Sequence, residues 1–253
     1  RRQRQMCIRD SNSTGHADMI ELEDGRWYMV SLGKRNDLDG DANMGRETYL
    51  MPMQWEPTIV KWEQVSEDRW EPLRYLFPVV APLTGKVERF TPLPYADKPQ
   101  YINNTVVDDF LDENLDLRWT FVRVPEDKTY SLSENPGFLR LYSKPGIIQD
   151  RKRFSLVGFR QKESDFEFEV KMNFSPEKDK VESGIIHYQK EWNYLTNTVT
   201  KVKKKYYLEQ KLKEKSKEVV TLKKTILKGY DGNIILKVKS KKDKYDFYYS
   251  LNN

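Results

Sequence analysis

The ten residues Asp165-Phe-Glu-Phe-Glu-Val-Lys-Met-Asn-Phe174 decide the fold class. Phe166, Phe168, Val170, Met172 and Phe174 fall on one side of an extended chain. Asp165, Glu167, Glu169, Lys171 and Asn173 fall on the other. Strict alternation with period two is the mark of a strand that lays one face on a core and wets the other.

Working outward, further short apolar runs are bounded by turn residues. Phe138–Tyr142, Gly184–Gln189, Asn193–Val202, Ile234–Lys239 and Tyr245–Leu251 all read as strands. Several short strands at such spacing predict a β-sandwich. Lys205–Leu227 is ambiguous: Leu208, Leu212, Val219 and Leu222 fit one helix face. The same residues also fit two charged strands, Lys205–Lys213 and Lys217–Leu227, and the β context favours strands. Upstream, His16–Glu23 and Arg26–Leu32 read as strands joined by a type I′ turn at Asp24-Gly25, because that turn needs positive φ at both central positions. Gly33–Asn43 reads as a polar loop. Glu47–Trp55 reads as a strand that Pro52 restricts to a sheet edge or breaks. Seven prolines between Pro57 and Pro99 exclude long helices there.

Composition limits the function classes. Of the 253 residues 38% are hydrophobic and 33% charged, which allows one large or two modest domains. No apolar run is long enough for a membrane span, and no apolar stretch follows the basic start. The single cysteine, Cys7, excludes an intrachain disulfide. The net charge is +5, but Arg1, Arg2, Arg4 and Arg9 against Asp10 supply +3 of it. A solvated Lys-rich surface therefore accounts for the rest, and no nucleic-acid partner is expected. The opening RRQRQMCIRDS resembles a peptide translated from adapter sequence; a disordered basic tail is the alternative. The expected organisation is an artefact or tail at 1–11, a first unit at 12–94, a linker at 95–105 and a sandwich at 106–253.

Two motifs carry chemistry. Gly15-His16-Ala17-Asp18 precedes the hairpin Glu23-Asp24-Gly25-Arg26-Trp27-Tyr28, and Met44-Gly45-Arg46-Glu47-Thr48 precedes Met51-Pro52-Met53-Gln54-Trp55. In this order they resemble glycoside hydrolase family 43, the β-xylosidase and α-L-arabinofuranosidase family. Asp108-Asp109-Phe110, Trp119, Tyr130-Ser131-Leu132, Pro136–Leu141 and Gly158-Phe159-Arg160-Gln161 resemble the concanavalin-like C-terminal domain of the same enzymes.

The resemblance implies an all-β protein: the terminal part of a five-bladed β-propeller followed by a concanavalin-like β-sandwich (jelly roll), cut at both ends. It implies an inverting glycosidase, in which one carboxyl protonates the leaving oxygen and another activates water. The family's Asp base, Glu acid and modulating Asp lie before the GHAD motif, so none is expected in this chain. Two residues carry over to substrate binding. Arg46 matches an arginine that reaches the pocket, where its planar charged fork suits sugar hydroxyls and a carboxylate. His16 matches a histidine near the propeller axis, which contacts a calcium ion or its waters in several relatives. Calcium prefers oxygen ligands, so a role in orienting the pocket floor is the alternative. Asp18 and Glu47 are read as salt-bridged or turn-stabilising carboxylates. His187, with Tyr188 and Trp192 nearby, is read as part of a core or edge aromatic cluster rather than a sugar-stacking site. The implied partner is a xylo- or arabino-oligosaccharide, no cofactor is required, a calcium ion being the one candidate, and a periplasmic or extracellular location is expected. The rival reading is a non-catalytic carbohydrate-binding sandwich, which leaves GHAD and GRET unexplained.

Overall fold

The structure is a computed structural model. It describes residues 11–35, 44–88, 90–95, 105–126 and 128–251. The tail at 1–10, the segment 36–43 within the expected loop and most of the expected linker lie outside those residues. The chain divides into two compact units, 1–104 and 105–253. There is no α-helix among the described residues, which are strands, turns and one 3₁₀ turn at Ile148–Asp150.

The first unit is one antiparallel sheet in the order β1 (Ser11–Glu21), β2 (Trp27–Arg35), β3 (Arg46–Ser66) and β4 (Arg69–Val80). Among the described residues this unit holds one sheet, with the four strands that a propeller blade also has. Its core is small: Met51, Met53, Val80, Ala81 and Val87, flanked by Trp27, Met29 and Tyr49. The β1–β2 hairpin departs from expectation. Only Gly25 of the expected turn pair has positive φ (+79°). The Gly25 amide donates to the Leu22 carbonyl at 2.9 Å, and the Leu22 amide to the Arg26 carbonyl at 2.9 Å. The loop thus has three residues with a left-handed glycine at its end, the other common hairpin solution.

Pro52 neither breaks β3 nor lies on an edge: β3 is paired with β2 on one side and β4 on the other. The Pro52 carbonyl accepts from the Ala81 amide at 2.8 Å, just past the end of β4. An N–H at Pro52 would have aimed at the Ala81 carbonyl. That carbonyl instead accepts from Thr84 and Gly85, at 3.1 and 2.7 Å, because Ala81 turns the chain with φ +49°. The missing proline donor therefore orphans nothing. β3 also runs 21 residues, far beyond the expected Trp55.

The second unit holds a sheet in the order β10-β11-β12-β13 and a sheet in the order β15-β14-β9. Their ranges are β9 Phe166–Asn173, β10 Glu182–Lys190, β11 Asn193–Val202, β12 Lys205–Glu214, β13 Val220–Ile226, β14 Asn233–Lys241 and β15 Lys244–Ser250. Two ladders of two-residue strands precede them: β5 (Thr120–Phe121) with β8 (Val157–Gly158), and β6 (Tyr130–Ser131) with β7 (Arg140–Leu141). The expected Phe138–Tyr142 strand is therefore only two residues long.

The two large sheets share a core. Ile185, Val199 and Leu208 from one meet Ile234, Leu236 and Val238 from the other, with Phe166, Phe168, Val170 and Met172 packed against them. The decisive alternation holds residue by residue: β9 is half-buried at its apolar positions and exposed at its polar ones. The ambiguous stretch is two strands. Glu209 explains why charge does not forbid this: its side chain is 9% exposed and binds Lys211 at 2.8 Å and Lys224 at 2.6 Å. The β11–β12 turn is the type I′ form expected elsewhere. Lys203 and Lys204 both have positive φ (47° and 65°), between the paired residues Val202 and Lys205.

Candidate functional site

Arg46 opens β3 directly after Gly45, whose φ of +72° turns the chain into the sheet. Arg46 stands opposite Lys34, and Glu47 opposite Gly33. Side chains alternate, so Arg46 and Glu47 leave on opposite faces. Glu47 is clamped: Arg35 Nε donates to its Oε2 at 3.0 Å, and Arg35 Nη2 to its Oε1 at 2.5 Å. The Arg35 side chain is only 9% exposed. On the same face Gly33 makes room for Tyr49; a Cβ at Gly33 would stand 2.8 Å from that ring. The clamp and the ring fix the start of β3. Arg46 projects exposed from the other face.

His16 lies in β1 at a bulge. Gly15 pairs with Leu32 and Asp18 with Val30, so His16 and Ala17 together oppose Ser31. His16 is exposed and has φ +48°. A left-handed histidine is uncommon, and bulges that re-aim a side chain gather beside active sites. Arg46 and His16 thus stand towards the same end of one sheet, on strands separated by β2 and three residues apart along it, roughly 14 Å from each other.

The two carboxylates of the motifs are occupied locally. Asp18 Oδ1 accepts from the Met19 amide at 2.9 Å, and Glu47 is held by Arg35. Among the described residues no group of three His, Cys, Asp or Glu side chains could hold a metal ion. Two features escaped the sequence reading: the bulge at His16, and Arg35 as the partner of Glu47. The parity of Gly33 opposite Glu47 was the available signal for the second, but it requires the register.

His187 lies between the sheets, with ring centroids 4.5 Å from Tyr245, 5.6 Å from Phe166 and 6.1 Å from Phe247. Its Nε2 has no hydrogen-bond partner among the described residues. Burial pushes its pKa down to about 4. It is part of a core aromatic cluster. Trp192 is partly exposed, with the Arg151 guanidinium 4.8 Å from its ring.

A family model for the beta xylosidase C-terminal concanavalin A-like domain (GH43_C2) matches residues 107–253. The chain belongs to glycoside hydrolase family 43. It is 33% identical over 174 residues to a non-reducing end alpha-L-arabinofuranosidase of Bacteroides ovatus, covering 68% of this chain and 29% of that protein. It is 33% identical over 198 residues to a xylosidase/arabinosidase of Butyrivibrio fibrisolvens, covering 76% of this chain and 34% of that protein. The solved structure of the Bacteroides ovatus xyloglucan PUL GH43B superposes with TM-score 0.80 at 28% identity, over 96% of this chain and 44% of that one. The GH43 chain therefore spans about a third of the length of these two curated relatives, corresponding to their C-terminal part. Its concanavalin-like domain is the second unit.

Proposed function

We propose that this chain is the C-terminal part of an inverting glycosidase that removes β-xylosyl or α-L-arabinofuranosyl groups from xylan- or arabinan-type saccharides. The catalytic Asp base, Glu acid and modulating Asp stand upstream of Gly15, and the chain by itself does not cut. Arg46 binds the substrate and keeps a neighbouring carboxylate ionised. His16 orients the pocket floor or contacts the waters of a calcium ion. An enzyme acting on plant polysaccharide works where polymer reaches it, in the periplasm or outside the cell. The observation that carries this reading is the placement of Arg46: exposed at the strand start, with its neighbour Glu47 held on the opposite face by Arg35.

The test uses the whole enzyme with aryl β-xyloside and aryl α-L-arabinofuranoside. Arg46→Ala is expected to lower kcat/KM by about 100-fold or more, the loss of a charge-assisted contact in a dry site. Full activity in that variant removes Arg46 from the pocket. No cleavage of either glycoside by the parent enzyme removes the proposed activity.

A further inference from the structure

The interior of the second unit holds polar atoms that its apolar core does not explain. Directly paired residues on neighbouring strands share a face of the sheet. Ile185, Val199 and Leu208 mark the face of the four-stranded sheet that looks at the other sheet. Asn197 on β11 pairs with Ile185 on β10 and with Gln210 on β12, so it stands on that inward face. His187 stands there too, two residues beyond Ile185. Phe166, Tyr245 and Phe247 of the opposite sheet surround its ring.

Asn197 is fully buried, at 0% exposure. Neither its Nδ2 nor its Oδ1 has a hydrogen-bond partner among the described residues, and the same holds for the buried Nε2 of His187. Turning the Asn197 amide over exchanges oxygen for nitrogen and satisfies neither, because both ends are unpaired. β11 lies between β10 and β12 in unbroken register around Asn197, so the backbone groups there are spent on the two ladders. The register also sets a distance. His187 pairs with Leu195, which makes Asn197 its diagonal neighbour, roughly 7–8 Å away. A single water bridges polar atoms about 5.5 Å apart, with a bond of about 2.8 Å on each side. Diagonal side chains that lean towards each other reach that separation.

We propose that Asn197 and His187 hold an ordered water molecule between the two sheets of the sandwich. Buried polar groups in folded proteins are hydrogen-bonded, to solvent where the protein supplies no partner. Water suits this place because it donates and accepts at once. The amide offers a donor and an acceptor, and a neutral imidazole nitrogen is one or the other by tautomer. Three polar atoms gather here, within the two to four partners that a buried water takes. An ion does not suit it. Burial holds the His187 pKa down at about 4, so the ring brings no charge. Among the described residues no group of three His, Cys, Asp or Glu side chains encloses a cation. An apolar occupant would leave the amide unpaired. One held water leaves the ring otherwise enclosed by Phe166, Tyr245 and Phe247, so its reluctance to take up a proton stands. The inference rests on the interior of the second unit, inside the residues 107–253 that match the family's domain. It is independent of the proposed activity and of everything outside that unit.

The test is a crystal structure of the whole enzyme at about 2 Å or better, for the parent and for Asn197→Leu. In the parent a solvent peak is expected within about 3.2 Å of one Asn197 amide atom and of His187 Nε2. Leucine branches at Cγ as asparagine does but has no polar atom, so Asn197→Leu is expected to lose the peak with Tyr245 and Phe247 in place. The absence of a peak in the parent overturns the proposal, as does a direct hydrogen bond from Asn197 to His187 or Gln210. A peak that stays on His187 in Asn197→Leu also overturns it, since Asn197 then has no part in holding the water. Should that variant fail to fold, His187→Leu reads the same loss from the other side, and a peak that persists on Asn197 counts against the shared site.

Discussion

An imidazole enclosed by aromatic rings resists protonation, and His187 passes that resistance on to the stability of the sandwich. Phe166, Tyr245 and Phe247 surround it. Its folded pKa is down at about 4, below an ordinary value of 6.5. Above pH 6.5 both states are neutral and the group is silent. As pH falls from 6.5 to 4 the unfolded chain takes up a proton that the fold refuses, so stability falls across that window. The loss is on the order of 2 kcal/mol. Urea titrations at pH 7 and pH 4.5 should show it, and His187→Leu should flatten that part of the difference; an unchanged slope would place His187 in water. Arg35 gives a second prediction at this scale. Arg35→Ala strands Glu47 and frees the start of β3, at a cost of about 1–3 kcal/mol. Thermal unfolding reads this, and a loss below 0.5 kcal/mol would show the clamp to be slack. The sequence left His187 between core and edge, because its neighbours Phe166, Tyr245 and Phe247 come from other strands and show only once the sheets are packed. It did not carry the His16 bulge, since a one-residue excess shows only once two strands are in register.

Among the elements, β12 and β13 teach the most. Leucines at helical spacing and a lysine-rich composition suit a helix and two strands alike, and only the cross-strand partners decide. Burial of Glu209 pushes its pKa up, but hydrogen bonds from Lys211 and Lys224 outweigh that and hold the carboxyl below its usual range. Glu209→Ala leaves Lys211 half-buried beside Glu182 alone and should cost about 1–3 kcal/mol in chemical denaturation. Lys61→Ala, which breaks an exposed pair, should cost no more than about 0.5 kcal/mol. Equal losses would mean that the network adds nothing beyond surface pairing. The Lys203-Lys204 turn makes a stabilising prediction. Left-handed geometry costs a non-glycine residue about 1 kcal/mol or more, so Lys203→Asn/Lys204→Gly should raise stability by roughly 1 kcal/mol. A fall on calorimetry would show that the lysines make compensating contacts. Turn chemistry misled the reading in both directions here: Asp24-Gly25 advertises a type I′ turn and forms another, while Lys-Lys advertises nothing and forms one. Tertiary register chose the loop in each case.

At the scale of the whole molecule, the fold class and family were legible because both rest on patterns that survive without neighbours: alternation in β9, and the GHAD and GRET motifs. The extent of β3 was not legible. Its prolines read as interruptions, whereas the Ala81 turn relieves Pro52 of its donor and Pro57 lies past the end of β2, where the edge of β3 asks for none. The order β15-β14-β9 has a consequence in time. Fifty-nine residues separate Asn173 from its partner Asn233. At 5–20 residues per second of synthesis, β9 waits about 3–12 s for β14. Through that interval its phenylalanine face is bare, on a strand with a free edge. Glu167, Glu169 and Lys171, which later pair with or flank the lysines of β14, are the charges that keep nascent copies apart meanwhile. The ladder of ion pairs on the outer face of β9 is thus an assembly safeguard first and a surface ornament afterwards.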